Sequence, residues 1–380
     1  MAALRPGRPP LRAWIWAAAT AVLAVVAVLL WRGSDAAATD STTAPPADVP
    51  PGTPAGAVSE VWSVPGDPLP DDVVEDGRVL VGSAHGVRAL DPVTGEQAWH
   101  YVRSNARLCG LTATDGIAVA VFRTEDRCDE AVGLDAGTGV RAWTRNVNFR
   151  PDVTLRSTGR VVLARSPGGV VALDPTGNNI RWRYQSPSGC RLLGSDVGDV
   201  GVVVLERCDA APARVRAFDG IAGDVLWTRD VPSSEGGQPR LLGADLLVGV
   251  LAGDDVQLLS GTDGALLRSI PAGEDRSVAQ TAVDGAVLVR SGDVLTAFHP
   301  TSAQELWAAP ATGLPGEPVA GSDGRSVLTV PEAGGFVRRD AGTGEELGRS
   351  EAAGLPADAT ATAVGPAVVL RLADRVLGHR

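Results

Sequence analysis

The sequence predicts an all-β fold: an eight-bladed β-propeller, its ring closed by pairing of an N-terminal strand with the C-terminal blade, behind an N-terminal transmembrane helix. Three observations predict it. Eight tight turns, each followed by a short apolar run, recur at a spacing of about 40 residues, the period of radially repeated sheets. They are Glu75-Asp76-Gly77, Thr114-Asp115-Gly116, Ser157-Thr158-Gly159, Val197-Gly198-Asp199, Gly243-Ala244-Asp245, Val283-Asp284-Gly285, Ser322-Asp323-Gly324 and Val364-Gly365-Pro366. Between them lies a second turn, rich in Asp, Thr and Gly, followed by a large apolar residue. Finally, eight hairpins accompany only seven of these second turns, and the missing outer strand is supplied by Val61–Val64, ahead of the first hairpin.

The first 12 residues carry Arg5, Arg8 and Arg12 and no acid, and read as a short cytoplasmic N-terminus. Residues 13–31 are apolar apart from Thr20. As a helix they span about 29 Å, the depth of a bilayer's hydrocarbon core. Tryptophans mark both ends, and the arginine bias places the N-terminus in the cytoplasm and everything after residue 31 outside. That is a single-pass signal-anchor in the cytoplasmic membrane. A cleaved signal peptide is the competing reading, because Ala36-Ala37-Ala38 offers small residues; Arg32 between the apolar core and that site opposes it. No cysteine follows the core to carry a lipid. Residues 32–57, rich in Pro, Ala and Thr, are expected to be an extended linker holding the ring off the membrane.

Residues 58–380 form the propeller. The second turn occurs with Asp91, Gly95 and Trp99; Asp135, Gly139 and Trp143; Asp174, Gly177 and Trp182; and Asp219 and Trp227. A copy with His299 in place of Asp carries Trp307, and the last copy has Asp340 and Gly344. Leu267 and Leu347 replace two tryptophans, so successive large residues lie 44, 39, 45, 40, 40 and 40 positions apart. The Asp side chain caps backbone N–H groups, Gly supplies positive φ, and the Trp ring is buried where an outer strand meets the next blade. Trp62 marks the strand that precedes the first hairpin. Its pairing with a C-terminal strand at Arg375–Leu377 would remove both sheet edges. Seven blades is the alternative if the last unit is incomplete.

Cys109 and Cys128 bracket one hairpin, and Cys190 and Cys208 another. Of the three connectivities, two would link the second blade to the fourth across the third, beyond the reach of a bridge. Disulfides Cys109–Cys128 and Cys190–Cys208 are therefore expected in an oxidising exterior, with buried free thiols as the alternative.

The formal charge is −11, and four Arg lie in residues 1–32, leaving −11 − 4 = −15 for the remainder. That disfavours nucleic acid and anionic lipid headgroups as partners. Every basic residue is Arg, and with abundant Ala, Gly and Val this points to a GC-rich genome such as an actinobacterium's. The four histidines, His85, His100, His299 and His379, are scattered, and no metal-ligand spacing recurs. Asp67, Asp71 and Asp72 read as a solvated loop. Arg181, Arg183 and Arg191 read as partners of the acidic surface. No Gly-x-Ser-x-Gly or phosphate-binding loop is present. The residues assign no catalytic and no metal-binding role.

The alternating turn-and-tryptophan pattern of residues 58–380 resembles the pyrrolo-quinoline-quinone (PQQ)-like propeller repeat, found in quinoprotein dehydrogenases and in non-catalytic relatives. WD40 repeats would show Gly-His and Trp-Asp pairs, and kelch repeats a Gly-Gly doublet. The resemblance implies two functions. One is a monomeric, cofactor-free scaffold tethered by its own helix and binding an envelope or membrane protein. The plan is similar to that of the propeller lipoprotein of outer-membrane protein assembly. The other is a quinoprotein oxidoreductase using PQQ and Ca2+, which would need an acidic Ca2+ site and commonly an adjacent cysteine pair. No two cysteines here are neighbours, so the scaffold is the expected function.

Overall fold

The computed structural model describes residues 11–380 apart from 177–178, 210, 233–236, 274–275 and 322–323, so Gly177 and the turn residues Ser322 and Asp323 lie outside the described residues. Eight sheets form the ring, antiparallel apart from a short strand, Leu314–Pro315, that pairs parallel with Thr360 and Ala361 of blade 8. Blades 1 to 7 span residues 74–103, 107–149, 154–185, 190–231, 240–271, 278–310 and 319–351, each running from the innermost strand to the outermost. Blade 8 takes its three inner strands from 360–379 and its fourth from Glu60–Pro65. That fourth strand pairs antiparallel with Arg375–His379, Ser63 opposite Leu377 and Val64 opposite Val376. The ring closes where the sequence predicted, and the blade count is eight.

The burial patterns follow from position. Second strands are covered on both faces and read as unbroken apolar runs: Val79, Leu80 and Val81 are wholly buried, as are Val203, Val204 and Leu205. Outer strands have one covered face and alternate, as Gln97–Arg103 does. Hairpins with Asp-Gly at the tip place both residues at positive φ, 47° and 69° at Asp76 and Gly77, the backbone of a two-residue turn matched to strand twist.

The hydrophobic core is divided between blades. Leu80, Trp99 and Tyr101 of blade 1 pack on Leu111, Phe122 and Leu134 of blade 2. At the closure, Trp62, Val364, Val369 and Val376 of blade 8 pack on Val79, Val81 and Leu90 of blade 1. The seam between chain ends is therefore built like the other blade junctions. Both disulfides are formed, Cys109–Cys128 and Cys190–Cys208, each within one blade.

Leu11–Arg32 is a 22-residue helix, and its segment Trp14–Arg32 is long and apolar enough to cross a membrane by length and composition. The residues after it depart from the expected spacer. Asp35–Ala38 forms a helical turn, and Thr39–Thr42 adds a fifth, outermost strand to blade 1, Thr39 opposite Arg103 and Thr42 opposite His100. The chain then runs over the turns of blades 2, 1 and 8. Ala44 N donates to Thr138 O at 2.9 Å, and Arg78 Nη2 donates to Pro45 O at 3.0 Å. A Cβ added at Gly365 would meet Pro50 O. Proline removes donors but leaves carbonyl acceptors, and the blade turns use them.

Candidate functional site

The repeated Asp, Gly and Trp residues lie at blade junctions. Each Trp indole N–H donates to a turn carbonyl of the next blade: Trp62 to Pro92 O at 3.2 Å, Trp99 to Ala136 O at 2.9 Å, Trp143 to Pro175 O at 2.9 Å, Trp182 to Gly220 O at 3.1 Å, Trp227 to Gly261 O at 2.8 Å and Trp307 to Ala341 O at 2.9 Å. The ring also covers the turn glycine of that next blade, as Trp62 covers Gly95, Trp99 covers Gly139 and Trp307 covers Gly344, leaving no room for a Cβ. The turn carboxylates face their own backbone. Asp91 Oδ1 accepts from Val93 N and Thr94 N at 2.9 Å, Asp135 from Thr138 N at 2.8 Å, Asp174 from Thr176 N at 3.0 Å, Asp219 from Ile221 N at 2.9 Å and Asp340 from Thr343 N at 2.8 Å. These residues are distributed around the ring and meet at no common point.

What does converge is on the ring axis. The meander puts the start of each innermost strand and the end of each second strand on one face, and the hairpin tips on the other. On the first face Arg156, Arg165, Arg240 and Arg371 surround a cavity of about 610 Å3. Arg156 and Arg371 both pair with Asp71, Arg371 at 3.6 Å, and Arg371 Nε donates to Pro70 O at 3.2 Å. Arg165 Nη2 donates to Leu193 O, and Arg240 Nη2 to Val278 O, both at 3.2 Å. Burial lowers the affinity of Arg156 for its proton, and the like charges of Arg371 and Arg165 add to that; Asp196 opposes it. Burial does the same to Arg165 and Arg371. Asp71, expected in a solvated loop, instead turns into this funnel, where Arg156 and Arg371 pair with its carboxylate; Asp72 stays exposed beside it on the lining.

Toward the hairpin tips the lining becomes acidic. Asp245 is pushed up to about 7 by burial and by the neighbouring Asp196, although Gln280 Nε2 donates to it at 3.4 Å. Glu75 rises to about 7 through burial, against the bond it accepts from Gly116 N at 2.8 Å. Burial also raises Asp196. In the wall, Ser195 is buried and its Oγ has no partner; Gln280 Oε1 has none either. The funnel is thus polarised, with guanidinium groups at one mouth, protonatable carboxyls toward the other, and unused hydrogen-bonding atoms between them. Such a mouth suits a ligand bearing oxyanion groups.

Sequence reasoning missed these residues because it followed the hairpin tips. A signal was present: the apolar run of the second strand ends in arginine in five repeats, at Arg123, Arg165, Arg207, Arg290 and Arg371. Of the arginines singled out from sequence, Arg181 pairs with Asp174 at 2.9 Å and Arg183 Nη2 donates to Val147 O at 3.2 Å, both away from the axis. The histidines also stay apart: His85 Nδ1 lies 2.7 Å from Ala106 O, and His379 stacks edge-on against Phe336.

For the PQQ and Ca2+ of the quinoprotein alternative, two features bear on the site. Among the described residues no three His, Cys, Asp or Glu side chains converge as a metal-ligand set. All four cysteines are bridged within their blades, away from any axial stack.

The chain is an eight-bladed propeller. A family profile described as outer membrane protein assembly factor BamB matches residues 58–200, which cover the closing strand, blades 1 to 3 and the start of blade 4. Tetrathionate hydrolase of Acidithiobacillus ferrooxidans is 25% identical over 256 residues, 60% of this chain and 50% of that protein. The serine/threonine-protein kinase AfsK of Streptomyces griseus is 28% identical over 193 residues, 45% of this chain and 23% of the kinase. The chain thus spans half the length of the first relative and less than a quarter of the second. Among solved structures, the C-terminal WD40 domain of Sif2 superposes with a TM-score of 0.52 at 10% identity, covering 85% of this chain and 98% of that one. That likeness concerns fold alone.

Proposed function

We propose that this chain is a membrane-tethered, extracytoplasmic propeller that serves as a binding and protein-interaction scaffold in the cell envelope, engaging an anionic group of its partner at the arginine-lined mouth. The observation that carries this reading is the convergence of Arg156, Arg165, Arg240 and Arg371 on one cavity. The BamB profile match supports an interaction role, and the two disulfides support an oxidising compartment. Retention of the helix has its own support. Cleavage at Ala36–Ala38 would remove Asp35, whose Oδ1 accepts from the buried Arg103 at 2.7 Å. The test is crosslinking in native membranes followed by purification of the full chain and of the Arg156→Ala/Arg371→Ala variant. A reproducible partner recovered with the first and depleted with the second supports the reading. A monomer without a partner, or equal recovery, contradicts it.

A hydrolase reading draws on one observation, the similarity to tetrathionate hydrolase, whose substrate is a small dianion that an arginine-lined mouth would attract. Incubation of the purified chain with tetrathionate decides it: turnover above the buffer rate would displace the scaffold reading. A quinoprotein is tested by adding PQQ and Ca2+, with a bound visible chromophore and dye-linked alcohol oxidation as its signature.

A further inference from the structure

The segment between the apolar helix and the ring is docked along its length, and that constrains how the disc can stand on a membrane. Two residues, Gly33 and Ser34, separate the helix end at Arg32 from Asp35. Asp35 is already held by the propeller: Arg103 Nη2 and Asn105 Nδ2 each donate to its Oδ1 at 2.7 Å. Arg103 is only 1% exposed and is also paired with Glu130 of blade 2, so this joint spans two blades. Ser104 N donates to Ala38 O at 2.8 Å, and the strand Thr39–Thr42 follows at once. Nothing here resembles a free tether.

From this we infer that the juxtamembrane strap holds the propeller with the rim of blades 1 and 2, on the arginine-mouth face, against the lipid surface, placing the connection Ser104–Arg107 and the neighbouring loop Thr124–Arg127 in the phospholipid headgroup layer. The inference rests on the membrane reading of the helix. The distance follows from covalent geometry alone: three residues beyond Arg32 reach at most about 10 Å, and the headgroup region is roughly 5–8 Å deep on each side. Asn105, bonded to Asp35, lies at that boundary. Net charge does not supply this contact, because the exported part is acidic and an anionic leaflet would repel it; the strap does. The exposed Arg107 and Arg127 are the cations available to lipid phosphates there, beside the exposed acids Glu125 and Asp126, and Arg107, Arg123, Glu125 and Asp126 line a cavity of about 590 Å3. The funnel mouth lies on that same face, so a partner would reach it alongside the lipid surface.

The test uses the full chain in vesicles of phosphatidylethanolamine and phosphatidylglycerol carrying a headgroup-attached quencher. There are no free cysteines to interfere with a label. A fluorophore at Arg107→Cys is expected to be quenched several-fold more than one at Thr262→Cys on blade 5. Inserting about 20 Gly/Ser residues between Gly33 and Ser34 adds a root-mean-square reach of about 25 Å. It is expected to abolish the difference while leaving the thermal melt unchanged. Equal quenching at both positions, or a difference that survives the insertion, would overturn the inference while leaving the membrane reading standing. A chain that does not partition with vesicles at all would overturn both.

Discussion

Replacing Trp99 by Ala tests how the blades are held together. The indole is wholly buried, so its removal takes away the burial of a large ring and opens a void between blades 1 and 2. An aromatic ring of about 200 Å2 at about 25 cal/mol/Å2 gives about 5 kcal/mol as an upper bound. Measured large-to-small core substitutions of this type cost about 3–5 kcal/mol. The change also strips the donor from Ala136 O, worth about 1 kcal/mol more. The total expected is about 4–6 kcal/mol. Trp143 makes the corresponding bond to Pro175 O but remains partly exposed, so Trp143→Ala should cost about half as much. At roughly 2 °C per kcal/mol for a domain of this size, the melting midpoints should fall by about 8–12 °C and about 4–6 °C. Trp99→Phe, which keeps most of the ring but loses the N–H, should lie between wild type and Trp99→Ala. Differential scanning calorimetry reads all three. Equal shifts for Trp99→Ala and Trp143→Ala, or shifts under about 2 °C for both, would refute the argument that buried indoles latch successive blades.

Three further outcomes follow from the geometry. Burial pushes Glu75 and Asp245 up to about 7 in the folded chain, well above the ordinary carboxylate range, so the unfolded chain ionises first. Their contribution to stability therefore falls as pH rises from about 4 to about 7, and Glu75→Gln/Asp245→Asn should flatten that part of the melting-versus-pH curve. Asp219 and Asp340, held low by backbone N–H donors, act in the opposite direction, and their stabilisation disappears only as pH drops below the ordinary carboxylate range. Removing either disulfide by paired Cys→Ser substitution should cost about 3 kcal/mol by loop entropy, nearly equal for the two because the closed loops, 19 and 18 residues, are nearly the same. Gly344→Ala should cost well over 2 kcal/mol, since it combines φ +72° with a Cβ 2.6 Å from the Trp307 ring, whereas Gly285→Ala, with φ +80° and open space, should cost about 1 kcal/mol. Urea unfolding separates the last pair.

The ring was legible because its turns carry chemistry that sequence displays. Asp-Gly tips must adopt positive φ, and the Asp-Thr-Gly turns with their tryptophans mark a fixed distance between blades. The odd strand around Trp62 was legible for the same reason: one outer strand was missing, and one stood unassigned. The juxtamembrane strap was not legible. Thr39–Thr42 has little apolar character, and its strand exists because the outer edge of blade 1 offers unpaired backbone groups, a property of the edge rather than of the segment. The funnel was not legible from the motifs either. Asp71, Asp72, Asp196 and Asp245 have no common spacing, and only closure of the ring brings them near Arg156 and Arg371. Local pattern therefore reveals the repeat unit, while the axis, where eight units meet, depends on the curvature of the whole.

Closure of the ring by Glu60–Pro65 is the claim on which the funnel, the strap and the proposed docking mouth all depend, and truncation measures it directly. A chain beginning at residue 58 keeps that strand, and one beginning at residue 66 lacks it together with Trp62. The account predicts that the shorter chain melts at least 10 °C below the longer one, or aggregates through the exposed edge of Arg375–His379, in keeping with the loss of a buried indole and a whole strand ladder. Superimposable melts for the two chains would contradict it.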